Sequence, residues 1–133
     1  MPDPSKTLET IPGAPLPNHN AYSLVVRSSG ETIHIAGWMG DDPETGKIVE
    51  GGVEAQADQA MRNIRTCLLA ADSSMDKIVR RRLYFLDIKK DLKTVMDVWN
   101  RYVPKPGPVS TAMQISGLAK EGAFVEIEVD AEA

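Results

Sequence analysis

The chain has 133 residues, of which 42% are hydrophobic and 26% charged, and its formal net charge is −4. This balance excludes a disordered chain, and the length fits one domain over residues 1–133 with its own hydrophobic core. The acidic net charge argues against a nucleic-acid partner, because phosphate binding requires a basic face. The single cysteine, Cys67, excludes an intrachain disulfide and fits a reducing compartment.

The N-terminal region, residues 1–16, contains several prolines, which predict an extended and weakly structured arm. It has no apolar segment of the kind found in secretory signals. No apolar run in the chain approaches the roughly 20 residues that span a bilayer. We therefore expect a cytoplasmic protein without a membrane partner.

Apolar runs bounded by turn residues predict the strands. A strand over 21–27, a tight turn at 28–31 and a second strand at 32–36 form the pattern of a hairpin. The segment 37–47 contains Gly, Asp and Pro, which predict a loop. The remaining strand candidates are 47–49, 78–88, 109–115 and 123–129.

Two segments, 53–71 and 89–103, carry apolar residues at helical spacing, and the second ends at the proline-containing segment 104–108. The strand candidate 78–88 is apolar on both faces, which favours an interior position in the sheet. This order of elements predicts an α+β fold in which both helices cover one face of a mixed sheet. The other face retains apolar residues, so we expect it to pack against another subunit.

The basic run Arg80-Arg81-Arg82 lies within a predicted strand, so its side chains alternate between faces and cannot form one patch. We interpret them as solvated or subunit-contact residues rather than nucleic-acid ligands. His34 falls on the less buried face of its strand, without a second histidine nearby to complete a metal site. We predict neither a metal ion nor another cofactor.

Three motifs resemble those of the RidA/YjgF/UK114 family, also called the L-PSP endoribonuclease family. They are the D-P-x-T-G turn at 42–46, the G-G-V-E-A-Q stretch at 51–56 and the V-E-I-E strand at 125–128. The resemblance implies a chorismate-mutase-like α+β fold, assembly into a homotrimer, and a small-molecule cleft at each subunit interface. The best-known members hydrolyse 2-imino or enamine acids to 2-keto acids and ammonia.

The resemblance also implies roles for individual residues. In the family an arginine binds the substrate carboxylate, a glutamate positions the attacking water and a tyrosine lines the cleft. Glu126 and Tyr22 match the glutamate and the tyrosine and are the candidate catalytic residues, although spacing alone favours a solvated strand carboxylate for Glu126. The candidate substrate-binding residues are Ser23, Ala36, Gly37, Trp38, Met96, Ser110 and Ala112.

The arginine is missing from this chain. The family motif P-x-R-[ST] reads P-V-S-T here, so Ser110 occupies the arginine position, and the loss of such a charged pair costs about 2–5 kcal/mol of carboxylate binding. Ala36, Trp38 and Met96 likewise replace more polar family residues. We therefore expect a cleft that is more apolar and less attractive to anions, with Tyr22 and Trp38 as aromatic walls.

These observations leave four functions open. The first is hydrolysis or tautomerisation of an uncharged imine, enamine or enol-type molecule, with Glu126 as acid and base. Such a reaction would fit a biosynthetic pathway. The second is a non-catalytic ligand-binding or interaction trimer. The third is a 2-imino acid deaminase in which another arginine, such as Arg27 or Arg82, replaces the missing one. The fourth is a ribonuclease, which the net charge and the absence of a histidine pair disfavour.

Overall fold

A computed structural model describes residues 7–17 and 22–133 of the chain, and its elements follow the predicted order. A short 3₁₀ turn, Met75–Lys77, leads into the fourth strand. The strands and helices are β1 (Thr7–Leu8), β2 (Val25–Val26), β3 (Thr32–Trp38), α1 (Gly52–Ala70), β4 (Ile78–Phe85), α2 (Ile88–Tyr102), β5 (Val109–Gln114) and β6 (Val125–Glu132).

Four of these strands form a mixed sheet in the order β3-β6-β4-β5. β6 is antiparallel to both β3 and β4, whereas β4 and β5 are parallel and are connected through α2. β4 has a partner on each side, so the interior position predicted for this strand is confirmed. The α+β class with two helices and a mixed sheet is therefore confirmed.

The hydrophobic core lies between the sheet and the two helices. The apolar stripe of α1 contributes Ala57, Ala60, Met61, Ile64 and Leu68, all with an exposed fraction of 0%. β6 alternates, with Val125, Ile127, Val129 and Ala131 buried against the helices. Complete burial of an aliphatic side chain of this size stabilises the fold by about 1.5–3 kcal/mol, so this strand and α1 fix the orientation of the sheet.

The opposite face of the sheet, which we call the open face, is polar. From β6 it carries Glu126, Glu128 and Asp130, and from β4 it carries Arg82 and Tyr84. The expectation of an apolar open face is therefore wrong for the two central strands. An apolar side chain on this face, Met113, belongs to the edge strand β5 and is 40% exposed.

The predicted hairpin of 21–27 with 32–36 does not form. Val25–Val26 pairs instead with Thr7–Leu8, so part of the N-terminal arm is ordered in a small second sheet. The backbone N–H of Ser23 donates to the carbonyl of Pro108, at the start of β5. Since β3 and β5 lie at opposite edges of the main sheet, a segment held at β5 cannot pair with β3.

Other strand and helix boundaries differ from the predicted ones by a few residues. Residues 47–49 form a single bridge, between Asp41 and Ile48, rather than a strand. β4 ends at Phe85 because the side chain of Asp87 accepts a hydrogen bond from the N–H of Lys90 and begins α2. β6 continues to Glu132, beyond the predicted end at 129. Residues 1–6 of the predicted arm and Ala21 of the predicted strand lie outside the described residues.

Within the described part of the chain, no helix combines the length and the apolar character needed to cross a membrane.

Candidate functional site

Glu126 is the candidate acid or base on the open face. It is half-buried near the start of β6, where it pairs with Tyr84 of β4. A Cβ atom placed on Gly37 would lie 2.9 Å from its Oε2 atom, so a glycine at position 37 is what allows the Glu126 carboxylate to lie against β3. None of the ion pairs within residues 7–17 and 22–133 includes Glu126.

The surroundings of Glu126 favour its protonated form. Burial raises the pKa of Glu126, and the negative charges of Glu128 and Asp41 raise this pKa further. The neighbouring acids already have partners: Tyr84 donates its hydroxyl to Glu128, and Arg82 lies 3.5 Å from Asp130. The raised pKa of Glu126 suits acid–base catalysis, which is most efficient when the pKa of the catalytic group is near the operating pH.

A second cluster, at the edge of the sheet beside β5, contains the Tyr-Ser pair. Ser23 is 1% exposed, its N–H donates 2.9 Å to the carbonyl of Pro108, and its hydroxyl donates to the carbonyl of Gly107. These bonds hold the half-exposed Tyr22 beside the start of β5. Ser23 therefore positions Tyr22, and its own hydroxyl is already engaged by the protein.

The same cluster contains a buried arginine that the sequence analysis did not select. Arg81 on β4 is 1% exposed and donates from Nε to the hydroxyl of Ser110 at 2.8 Å. Its guanidinium carbon lies 4.7 Å from the centre of the Trp99 ring. Tyr22 is close enough to act electrostatically on Arg81. We call Tyr22, Arg81, Trp99 and Ser110 the edge cluster.

The interpretation of the basic run as solvated or subunit-contact arginines is wrong for Arg81. The burial of Arg81 could be predicted from the alternation of side chains along β4, because Arg81 points to the same side as Leu83 and Phe85, which are buried in the core. Arg82, by contrast, lies on the open face near Glu128 and Asp130. The run thus places neighbouring arginines on opposite faces of the sheet, as the strand periodicity predicted.

Trp38 lies apart from Glu126. It pairs with Ile127, packs against the core and lines a cavity of about 630 Å³ between α1 and the loop that follows β3. Asp41 also lines this cavity, forms an ion pair with Lys120 and accepts a hydrogen bond at its carbonyl from Asn63. Trp38 is therefore placed on the helix side of the sheet, whereas Glu126 is on the open face.

The remaining candidate residues are dispersed. Ala36 is exposed on β3 next to Gly37, and Ala112 is exposed on β5. Met96 is 6% exposed and belongs to the core side of α2, one turn before Trp99. His34 is exposed and bonds Asp130 at 2.7 Å. No group of three or more His, Cys, Asp or Glu side chains within the described residues has a metal-binding arrangement.

The structure thus separates the candidate residues into two groups. Ser110 and Arg81 lie on the helix side of the sheet at the β5 edge, whereas Gly37 and Glu126 lie on the open face near β3. Since one sheet separates them, the two groups of one chain cannot contact the same small molecule.

Comparison with known proteins identifies the family of the chain. The profile described as Endoribonuclease L-PSP matches residues 13–133. The RutC family protein UK114 of Drosophila melanogaster is 35% identical over 97 residues, which cover 73% of this chain and 69% of that protein. The chain belongs to the RidA/YjgF/UK114 family. A further member of this family, the 2-iminobutanoate/2-iminopropanoate deaminase of Bos taurus, is 40% identical over the same shares of the two chains.

Solved structures of the RidA/YjgF/UK114 family have the same fold. RidA from the Antarctic bacterium Psychrobacter superposes with a TM-score of 0.73 at 30% identity, over 96% of this chain and 94% of that one. The resemblance inferred from the three sequence motifs is therefore confirmed over nearly the whole chain, and the element order described above is that of the RidA/YjgF/UK114 family.

Proposed function

We propose that this protein hydrolyses imines, or enamines after their tautomerisation, with Glu126 as the proton-transfer group. The observation that carries the proposal is the half-buried Glu126 carboxylate, whose pKa is raised and which lies against Gly37. Relatives named 2-iminobutanoate/2-iminopropanoate deaminase, 40% identical in cattle and 36% in humans, support the reaction class.

The position of Glu126 suits a proton shuttle. In the first step, water adds to the C=N carbon: its oxygen bonds to carbon, one of its protons passes to Glu126, and Glu126 delivers a proton to nitrogen. In the second step, Glu126 takes the hydroxyl proton of the resulting carbinolamine and returns it to nitrogen, the C–N bond breaks, and ammonia and a carbonyl product leave. A carboxyl group with a pKa nearer neutrality both accepts and donates this proton efficiently.

We further propose that the complete site lies between two copies of the chain in a homotrimer. The edge cluster and Glu126 are on opposite sides of the sheet, so a second copy has to bring them together. The edge strand β5 supports this assembly, because residues 111–114 are exposed on both faces of the strand and β4 pairs with only one of its edges.

Whether the substrate is neutral or carries a carboxylate depends on whether the site supplies a positive charge. The serine at position 110 led us to expect an uncharged imine, enamine or enol-type substrate, and this stays a prediction. The guanidinium of Arg81, 2.8 Å from the Ser110 hydroxyl, favours the alternative in which a substitute arginine serves a 2-imino acid. Arg27 is exposed and Arg82 lies on the open face near Asp130, so these two candidates receive less support than Arg81.

Two other functions receive less support. Ribonuclease activity is disfavoured because Glu126, Glu128 and Asp130 on the open face would repel a phosphate backbone. A non-catalytic binding trimer would not require a carboxylate with a raised pKa on that face. Measurement of imine turnover distinguishes this alternative from catalysis.

The proposal predicts that Glu126→Gln lowers imine hydrolysis by about 100-fold or more, because the amide cannot shuttle a proton. Freshly generated 2-iminopropanoate and a neutral imine are given to the protein, and ammonia release is measured. Asp130→Asn is the matched control, since it neutralises another acid of β6 on the same face, and it should retain activity. Full activity of Glu126→Gln would refute the role of Glu126, and no turnover of either imine would favour the binding alternative.

The pH dependence of the same reaction gives a second readout. The ionised Glu126 accepts the proton from water, so kcat/KM should rise with pH through the pKa of Glu126. Because burial and the Glu128 and Asp41 charges raise this pKa, the acidic limb should lie above the ordinary range of a glutamate. An acidic limb at or below that ordinary range would contradict the assignment.

A further inference from the structure

The cavity lined by Trp38 lies on the helix side of the sheet, apart from Glu126. It has a volume of about 630 Å³, between α1 and the loop that follows β3, and its lining includes Asp41, Cys67 and Lys120. This volume is typical of sites for small organic molecules, which span about 300–1,000 Å³. We call it the helix-side cavity. A molecule bound in it would lie on the opposite side of the sheet from Glu126.

Two residues that line this cavity each bury a polar atom without a hydrogen-bond partner. Within residues 7–17 and 22–133, Trp38 Nε1 and Asp41 Oδ1 are such atoms. The Asp41 side chain is only 8% exposed. A buried polar group without a partner destabilises a fold, so such groups in native proteins require an explanation. One atom is a donor and the other an acceptor, and a molecule in the helix-side cavity would supply both missing partners.

The other contacts of Asp41 hold its carboxylate in place. Lys120 forms an ion pair with Oδ2 of Asp41 and also donates from Nζ to the carbonyl of Gly46 at 2.6 Å. The side-chain amide of Asn63 on α1 donates to the backbone carbonyl of Asp41 at 2.9 Å. These bonds fix the loop against α1. The Oδ1 atom is therefore a positioned acceptor rather than part of a freely rotating surface carboxylate.

The charges around the helix-side cavity favour a neutral ligand. Lys120 pairs with Asp41, and Arg62 pairs with Asp58 at 2.9 Å. Arg65 is exposed, so solvent screens its charge. The buried carboxylate of Asp41 would repel an anion, whereas a cation would compete with Lys120 for that carboxylate. A neutral ligand avoids both costs.

We propose that the helix-side cavity binds a neutral, planar molecule that carries a carboxamide or a cyclic amide group. The carbonyl oxygen of the amide accepts from the indole N–H of Trp38, and the amide N–H donates to Oδ1 of Asp41. An amide presents a donor and an acceptor side by side, which complements an indole N–H and a carboxylate oxygen. The Trp38 ring adds a flat apolar wall to the site.

The indole N–H resonance of Trp38 reports directly on the first of these hydrogen bonds. The chain contains two tryptophans, so isotope-labelled protein gives two indole signals, and the one lost in Trp38→Phe belongs to Trp38. We expect benzamide to shift this signal with a Kd of about 1 mM, as is usual for a fragment of this size. The Trp99 signal should stay in place, because Trp99 is 1% exposed and does not line the cavity.

Ligand controls test the second hydrogen bond, to Asp41. Acetophenone has the size and the carbonyl group of benzamide but no N–H, so it should bind about tenfold more weakly. Benzoate also lacks the N–H donor and is repelled by Asp41, so it should bind more weakly still. In Asp41→Leu, the preference for benzamide over acetophenone should disappear.

Protein variants test the indole donor on the backbone amide signals of the loop 41–47. Trp38→Phe keeps an aromatic ring but removes the N–H, so it should weaken binding of both carbonyl compounds by about fivefold to tenfold. Tyr84→Phe is the matched control, because it removes an aromatic hydrogen-bond donor on the open face. It should bind benzamide within about twofold of the wild type.

Two results with the wild-type protein would overturn the inference, whether or not the variants fold. One is equal binding of benzamide and acetophenone. The other is a Trp38 signal that none of the three compounds moves, since water alone would then complete the hydrogen bonds. The inference is also independent of the proposed function, because Glu126→Gln should bind benzamide like the wild type even if it hydrolyses no imine.

Discussion

Glu126 and Arg81 illustrate how far single residues could be assigned from the sequence. Glu126 was selected because its motif resembles that of a family, and the structure places it where burial raises its pKa. Arg81 was not predicted as a site residue, because its guanidinium reaches Ser110 from the neighbouring strand β4 and not along β5. The alternation of β4 places Arg81 in the core, but only the three-dimensional pairing of β4 with β5 shows that it reaches Ser110.

The contact between Gly37 and Glu126 leads to a prediction at the residue scale. In Gly37→Ala, the new Cβ atom would lie 2.9 Å from Oε2 and 3.0 Å from Cδ of Glu126, so the flexible carboxylate has to move. Because a displacement of about 1 Å at a reacting group costs up to about 100-fold in rate, we expect kcat for imine hydrolysis to fall by about 10- to 100-fold. The melting temperature should change little.

The matched control for Gly37→Ala is Gly117→Ala, because a Cβ atom at position 117 meets nothing within 4 Å. This control should keep the wild-type kcat. If Gly37→Ala and Gly117→Ala are equally active, then the close approach of Gly37 to Glu126 has no role in positioning the carboxylate.

Among the elements, the helices were predicted best and the first strands worst. The apolar stripe of α1 is a local signal, and its predicted range of 53–71 differs from Gly52–Ala70 by one residue at each end. The pairing of β2 is not local: Ser23 is tied to the carbonyl of Pro108, 85 positions later in the chain. No pattern within residues 21–36 encodes that contact, which is why the hairpin prediction failed.

The edge strand β5 leads to a prediction at the scale of elements. If β5 packs against another copy, a charge at the exposed Met113 should dissociate the assembly. We expect light scattering to give a mass near three times 14.5 kDa for the wild type and a mass near 14.5 kDa for Met113→Glu. The fold of the variant should persist, as judged by circular dichroism, because Met113 lies outside the core.

Leu69→Glu provides the control for Met113→Glu. Leu69 is 61% exposed on α1, on the helix side of the molecule and away from β5. The mass of this variant should equal that of the wild type. A Met113→Glu protein that keeps the wild-type mass would show that β5 is not the contact between copies.

For the whole molecule, the arrangement of charge is the observation that supports the proposed assembly. The acidic residues of β6 face one side of the sheet, and the guanidinium of Arg81, which forms no ion pair within residues 7–17 and 22–133, faces the other. The sequence predicted the fold class, but it could not predict that the charged groups are separated by the sheet, since this depends on the register between strands. A substrate that needs both groups therefore needs two chains.

Mixing two inactive variants tests the shared site most directly. Arg81→Gln and Glu126→Gln proteins are unfolded together in equal amounts, refolded, and assayed with 2-iminopropanoate. Random assembly gives an intact pair, with Arg81 from one chain and Glu126 from its neighbour, at about one site in four. We expect recovery of about one quarter of the wild-type activity, whereas activity that stays at the sum of the two separate variants would contradict a site built by two copies.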